Sequence, residues 1–235
     1  MVKIYFETPK YFSRKLIKVI QLICCNFMPR QIMTGEFKGL TISKNIFGSA
    51  YTPKILGTYE EEISAIVKNR ILDKYFPLFV DVGCAGGYYC EIARQLRPDI
   101  RIVGYDLNDS AIKYCKQIVP SGHFKSEKFD YKNYCDVDSP ILFLFDIEGA
   151  EFDVFNKLTH LNPRHEFIIE VHSFGLNNNK SIDILNPGDF HINEIPYLTI
   201  KEARSKKRIL RLLEFFLRHE LREAKTRYIH IKPKF

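Results

Sequence analysis

A chain of 235 residues, 46% hydrophobic and 27% charged, has enough apolar material for one α/β core with an appendage, which excludes a disordered or fibrous protein. Its six cysteines form no CxxC pair and follow no regular spacing, which argues against a disulfide framework or a zinc site and for a reducing, cytoplasmic setting. The net charge of +7 is unevenly spread: residues 1–54 carry 9 Lys/Arg against 2 acids, residues 196–235 carry 12 against 4, and residues 55–195 carry 14 against 22. The acidic body is therefore flanked by basic ends, which read first as solvated faces and second as a surface for an anionic partner such as a phosphorylated carrier, an acidic glycan, a membrane or nucleic acid.

From the N-terminus, Phe12, Leu16, Val19, Ile20, Ile23 and Phe27 fall at helical spacing and predict an amphipathic helix over Lys10–Met28. Lys18 and Gln21 interrupt its apolar run, which is too short and polar to span a bilayer and lacks the small-residue cleavage site of an export signal. Such a helix packs on its own domain or on a second copy of the chain, with membrane-surface attachment the lesser alternative. Pro29–Pro53 reads as loops and short strands, and Glu60–Leu72 as a helix. Residues 1–54 are thus expected to form a basic extension to a main domain over 55–235.

The stretch Phe79–Tyr89, FVDVGCAGGYY, runs an apolar strand through Asp81 into a turn of small residues, Gly83, Cys84, Ala85, Gly86 and Gly87. Such a turn lets the backbone bend sharply and bring its N–H groups against a ligand, although an ordinary strand and turn would look the same. Cys84 reads as a small residue and not as a nucleophile. Glu91–Leu96 then has a helical face, and Ile100–Asp106 is a second strand ending in an acid. At that place in a doubly wound sheet a carboxylate can accept from both hydroxyls of a ribose; the plain alternative for Asp106 is an N-cap for the helix Asp109–Ile118.

Ile141–Glu151, ILFLFDIEGAE, joins an uninterrupted apolar run, the mark of a strand covered on both faces, to the acids Asp146, Glu148 and Glu151. Glu151 reads foremost as an acid placed by helix N-terminal electrostatics. The next strand, Glu166–Val171, sets Glu170 two residues from His172, on one face. His172–Ser205, marked by Asn177, Asn178, Asn179, Pro187, Gly188 and Pro196, is irregular and emerges at the ligand edge, which suggests an acceptor-binding lid with Asp189 and His191 as minor contacts. Ser205–Lys225 forms an amphipathic helix, and Arg227–Ile231 a final strand at the sheet edge.

VDVGCAGGYY and, more specifically, DIEGAE over Asp146–Glu151, with the following Glu170-x-His172 and the preceding Gly57–Glu60, GTYE, resemble the FkbM-type group of class I S-adenosylmethionine-dependent O-methyltransferases. The resemblance covers Ile55–Val171 well. It implies a Rossmann-like α/β fold, a mostly parallel sheet of seven strands with helices on both faces, whose second late strand lies within Phe190–Ile195 or is missing. It also implies S-adenosylmethionine against Gly83, Cys84, Ala85 and Gly87, with Asp106 on the ribose and Leu107 beside it. Asp81 lies behind the turn, and Tyr88, Asp146 and, more weakly, Glu60 complete the cofactor set. The acceptor it implies is a hydroxyl of a carbohydrate, glycan or related small molecule. One departure is that the group's small-Asn pair in the turn reads Cys84-Ala85 here. A nucleic-acid methyltransferase, which the basic ends would suit, and a cofactor-binding scaffold without turnover stand as alternatives.

Methyl transfer to a hydroxyl requires alignment of the oxygen with the methyl group and removal of a proton. His172 is the preferred general base, because its ordinary pKa lies near neutrality and carboxylates surround it in sequence. The competing use of Asp146, Glu148, Glu170 and His172 is a hard divalent-metal site, with Mg²⁺ lowering the pKa of the acceptor hydroxyl.

Overall fold

The structure, a computed structural model, describes residues 19, 23, 26–44, 47, 50–155, 160–172, 189–196 and 226–234. The predicted helix Ser205–Lys225 lies outside them, as do nearly all of the predicted helix Lys10–Met28 and most of the lid, whose Asp189 and His191 alone of the named contacts are described. The chain divides into two compact units, residues 1–64 with 198–223, and residues 65–197 with 224–235. No helix among the described residues is long and apolar enough to cross a membrane.

In the first unit, Ile32, Phe37, Ile42, Tyr51 and Ile55 are buried. Gln31 and Thr41 form an isolated antiparallel bridge, and a short helix, α1 (Tyr51–Leu56), closes on Gly57 in the left-handed conformation. Part of the predicted loop region is therefore helical. A second helix, α2 (Glu61–Leu72), continues from the first unit into the second.

The second unit is built on strands β1 (Leu78–Val82), β2 (Arg101–Tyr105), β3 (His123–Lys125), β4 (Ile141–Phe145), β5 (Glu166–His172), β6 (Phe190–Pro196) and β7 (Thr226–Pro233). They lie in the order β3-β2-β1-β4-β5-β7-β6. The first five are parallel, and β7 runs antiparallel to both β5 and β6. Helices α3 (Tyr88–Leu96), α4 (Asp109–Ile118) and α5 (Glu151–Phe155) fill the connections. β1, β4 and β5 are buried at every position, and the unbroken apolar run of β4 is the sequence mark of that double covering. β6 is the second late strand, at the place left open for it, and one expectation changes: the last strand is an inner strand of the sheet rather than its edge.

Aromatic rings dominate the core of this unit. Phe143 stacks on Phe167 with centroids 5.1 Å apart, and Phe129 meets Tyr105 and Phe145 edge to face, each at 5.2 Å. The hydroxyls of Tyr105 and Tyr134 satisfy each other at 2.8 Å, which removes the cost of burying them. At the start of β5 the buried carboxylate of Glu166 takes Arg70 Nε at 2.8 Å and His230 Nε2 at 2.6 Å, so its charge is not left uncompensated.

Candidate active site

The parallel strands deliver their carboxyl ends to one rim, and the chain reverses its order of laying down strands between β1 and β4, the place where open α/β sheets bind ligands. Gly83, just past β1, has φ of 86° and is so close to the end of β4 that a Cβ built on it would lie 1.8 Å from the carbonyl oxygen of Asp146. Only glycine satisfies both conditions. The N–H groups of Gly83 and Cys84 donate to the carbonyl of Tyr105 at 2.8 and 2.9 Å, which ties the turn to β2.

Asp106 reinforces the tie. Its Oδ2 accepts from Ala85 N at 2.8 Å and its Oδ1 from Asn108 N at 2.7 Å. It is not the N-cap of α4; that position is Asn108, whose side chain accepts from Ser110 N and Ala111 N. Each carboxylate oxygen of Asp106 retains acceptor capacity, so a pair of neighbouring hydroxyls still finds two partners there. Leu107, next to it, is 76% exposed.

Ala85 adopts φ of 43°, in the left-handed region that a side chain resists. Cys84 is buried, and its thiol is held well above the usual range by a hydrogen bond with Cys115 and then by burial; it packs as a small thiol, consistent with the sequence reading. Asp81, also buried, accepts from Cys90 Sγ at 3.3 Å, behind the turn. Gly87 caps α3, and the ring of Tyr88 is buried edge-on to Tyr89 at 4.9 Å. Glu60 belongs to the first unit, where its carbonyl accepts from Ile63 N and Ser64 N, both at 3.1 Å.

A second cluster sits at the ends of β4 and β5. His172 is 6% exposed, and its Nδ1 pairs with Oε1 of the fully buried Glu151 at 2.8 Å. That oxygen also accepts from Gly149 N at 3.2 Å. A carboxylate only accepts, so Nδ1 carries the hydrogen and Nε2 is left as the acceptor of the neutral ring. Nε2 faces Glu170 at 3.5 Å, Asp146 at 3.6 Å and Glu148 at 3.7 Å. Exposure rises across the set, from 3% for Glu170 to 34% for Asp146 and 72% for Glu148, so the cluster opens to solvent on one side. Burial alone would lower the pKa of His172, but the hydrogen bond it donates to Glu151 and the charges of Asp146, Glu151 and Glu148 outweigh it, and the pKa is raised.

The structure thus brings together all four residues named for catalysis and adds Glu151, which the sequence reading assigned foremost to helix electrostatics. The signal that could have exposed it is the DIEGAE spacing. Gly149 at φ of 98° and Glu148 at 52° fold the turn back, so that the acid opening α5 returns toward β5.

Residues 78–179 match the family described as "methyltransferase domain". No curated protein sequence matches the chain. Among solved structures, a ribosomal protein L11 methylase from Lactobacillus delbrueckii subsp. bulgaricus aligns at 15% identity over 76% of this chain and 80% of its own, with a TM-score of 0.46. A precorrin-6y C5,15-methyltransferase from Geobacter metallireducens aligns at 12% identity over 80% and 94%, with a TM-score of 0.46. The plantazolicin methyltransferase BpumL in complex with SAH aligns at 14% over 75% and 86%, with a TM-score of 0.40. The match to the methyltransferase domain family thus runs from β1 through β5, along a Rossmann-like sheet ordered β3-β2-β1-β4-β5-β7-β6.

Proposed function

We propose that this domain is an O-methyltransferase acting on a hydroxyl of a carbohydrate, glycan or related small molecule, with His172 as the general base. The observation that carries the proposal is the fixed imidazole: Glu151 holds Nδ1 at 2.8 Å and leaves Nε2 facing the open side of the cluster. S-adenosylmethionine, when bound, supplies an electrophilic methyl group on a sulfonium that departs as a neutral thioether. The residues present suit that cofactor. Asp106 retains acceptors for the ribose hydroxyls, Leu107 offers an exposed apolar surface beside it, and Gly83, Cys84, Ala85 and Gly87 shape the wall of the turn. Asp81, Tyr88 and Asp146 support that wall. His172 Nε2 would take the proton of the acceptor hydroxyl, and the carboxylates of Asp146, Glu148 and Glu170 would stabilise the imidazolium formed.

The carbohydrate class follows from the sequence resemblance to the FkbM-type group. A second use of the same residues is favoured by one measurement: ligand atoms of Asp146, Glu148 and His172 lie within 4.8 Å of one another. A hard divalent ion such as Mg²⁺ would join them there and polarise the hydroxyl directly.

Calorimetry with S-adenosylmethionine and S-adenosylhomocysteine tests the cofactor, comparing wild type with Asp106→Asn, which keeps one oxygen for the turn. Micromolar binding that weakens at least tenfold in the variant supports the assignment, and absence of binding to either compound favours a scaffold without turnover. On a hydroxyl acceptor, His172→Ala should lower kcat by about 10²–10⁴; an unchanged rate would refute the base. Loss of turnover with a chelator, restored by Mg²⁺, would select the metal route. Methylation of RNA or DNA that weakens steeply with salt would favour the nucleic-acid alternative.

A further inference from the structure

A second set of ligand-bearing side chains lies at the other end of the sheet. Cys135 and Asp136 precede β4, and His160 precedes β5, so two parallel neighbours bring their entering segments to the same place. The ligand atoms of Cys135, Asp136 and His160 all lie within 4.8 Å of one another, and His160 Nε2 is 4.0 Å from Asp136 Oδ1. Tetrahedral coordination by a thiolate, an imidazole and a carboxylate places such atoms about 3.3–3.8 Å apart. Small rotations of the exposed Asp136 and His160 side chains close the difference.

The backbone beneath them is already fixed. Asn162 Nδ2 donates to the carbonyls of Cys135 and Val137, each at 3.0 Å, and Asn162 N donates to Tyr131 Oη at 3.1 Å. Tyr131 Oη in turn meets His165 Nδ1 at 2.9 Å within the core. Arg164 adds a bond to the carbonyl of Asp138 at 2.8 Å. One asparagine thus stitches the segment carrying Cys135 and Asp136 to the segment carrying His160, the kind of support that orients ligands before an ion arrives.

Cysteine spacing argued against a zinc site, but the fold gathers its ligands from two separate segments, and we propose that Cys135, Asp136 and His160 form a Zn²⁺ site with water in the fourth position, separate from the site of methyl transfer. Sulfur, nitrogen and oxygen donors together suit zinc better than magnesium or calcium. The ion ties the entrances of β4 and β5 and stabilises the folded second unit.

The test uses the full chain, stripped of metal under reducing conditions and titrated with ZnCl₂, and in parallel with Co²⁺, whose thiolate charge-transfer absorption reports a cysteine ligand. The expected result is one zinc per chain, a thiolate–cobalt band, and a rise in Tm of about 5–10 °C at a hundredfold excess of free zinc over Kd. Cys135→Ser and His160→Ala should each retain their metal-free Tm and lose both the band and the rise. His172→Ala should retain both, which separates this site from the carboxylate cluster. No zinc uptake by wild type, or a band that survives in Cys135→Ser, would overturn the proposal.

Discussion

At the scale of single residues, chemistry rests on how Glu151 holds His172. Glu151→Gln removes the charge but keeps the shape, so the pKa of His172 should fall and kcat drop about tenfold or more, with less effect on KM. A kinetic pH profile checks this. A base works only when neutral, and the pKa of His172 is raised, so wild-type activity should climb with pH through a value above the ordinary 6.5. In Glu151→Gln the rise should move to lower pH. Much of this site was legible beforehand. Asp146, Glu148, Glu170 and His172 stood out because acids and a histidine ended apolar runs. Glu151 did not, since its pairing with His172 depends on left-handed backbone at Glu148 and Gly149, which no periodicity announces. The second role of Asp106, holding Ala85 N, was hidden for a different reason: it is a contact across 21 positions of chain.

At the scale of elements, the turn after β1 is the most constrained. Gly83→Ala puts a methyl group against the Asp146 carbonyl at a positive φ. It should cost about 3 kcal/mol or more in denaturant unfolding. Ala85 is the opposite case, an occupant of left-handed backbone that would be relieved by replacement. Ala85→Asn should be neutral or stabilising by up to about 1 kcal/mol, and Ala85→Val should lose about 2 kcal/mol, because asparagine tolerates this region and a β-branched residue does not. A urea midpoint series decides. Helix α4 was legible to the residue, since Asp109 and Ile118 bound a clean apolar face between the polar cap Asn108 and the C-cap Val119. The position of β7 was not, because its short apolar set, Tyr228, Ile229 and Ile231, would suit an edge and an inner strand equally. Only the pairing of β6 along its other side decides the matter.

At the scale of the whole molecule, two buried histidines set opposite responses to pH. Burial lowers the pKa of His165 from 6.5 to about 4. The unfolded chain therefore takes up a proton first as pH falls, and the folded state loses about 3 kcal/mol between pH 6.5 and 4. His172, with its raised value, contributes stability at low pH that fades as pH rises through its folded pKa. Unfolding free energies measured across pH 4–7 should show the acid loss in wild type and a shallower one in His165→Gln. An identical slope in both would rule out His165 as its source.

The antiparallel pairing of β7 with both β5 and β6 carries a consequence for synthesis on the ribosome. When β5 has emerged, its outer backbone groups have no neighbour, and β6, some twenty residues later, cannot serve because β7 must lie between them. The nascent chain therefore holds an open strand edge through at least the next thirty residues, the condition in which edges pair with other chains. Ribosome-stalled fragments ending before Thr226 should accordingly bind chaperones, or one another, far more than fragments that include Pro233.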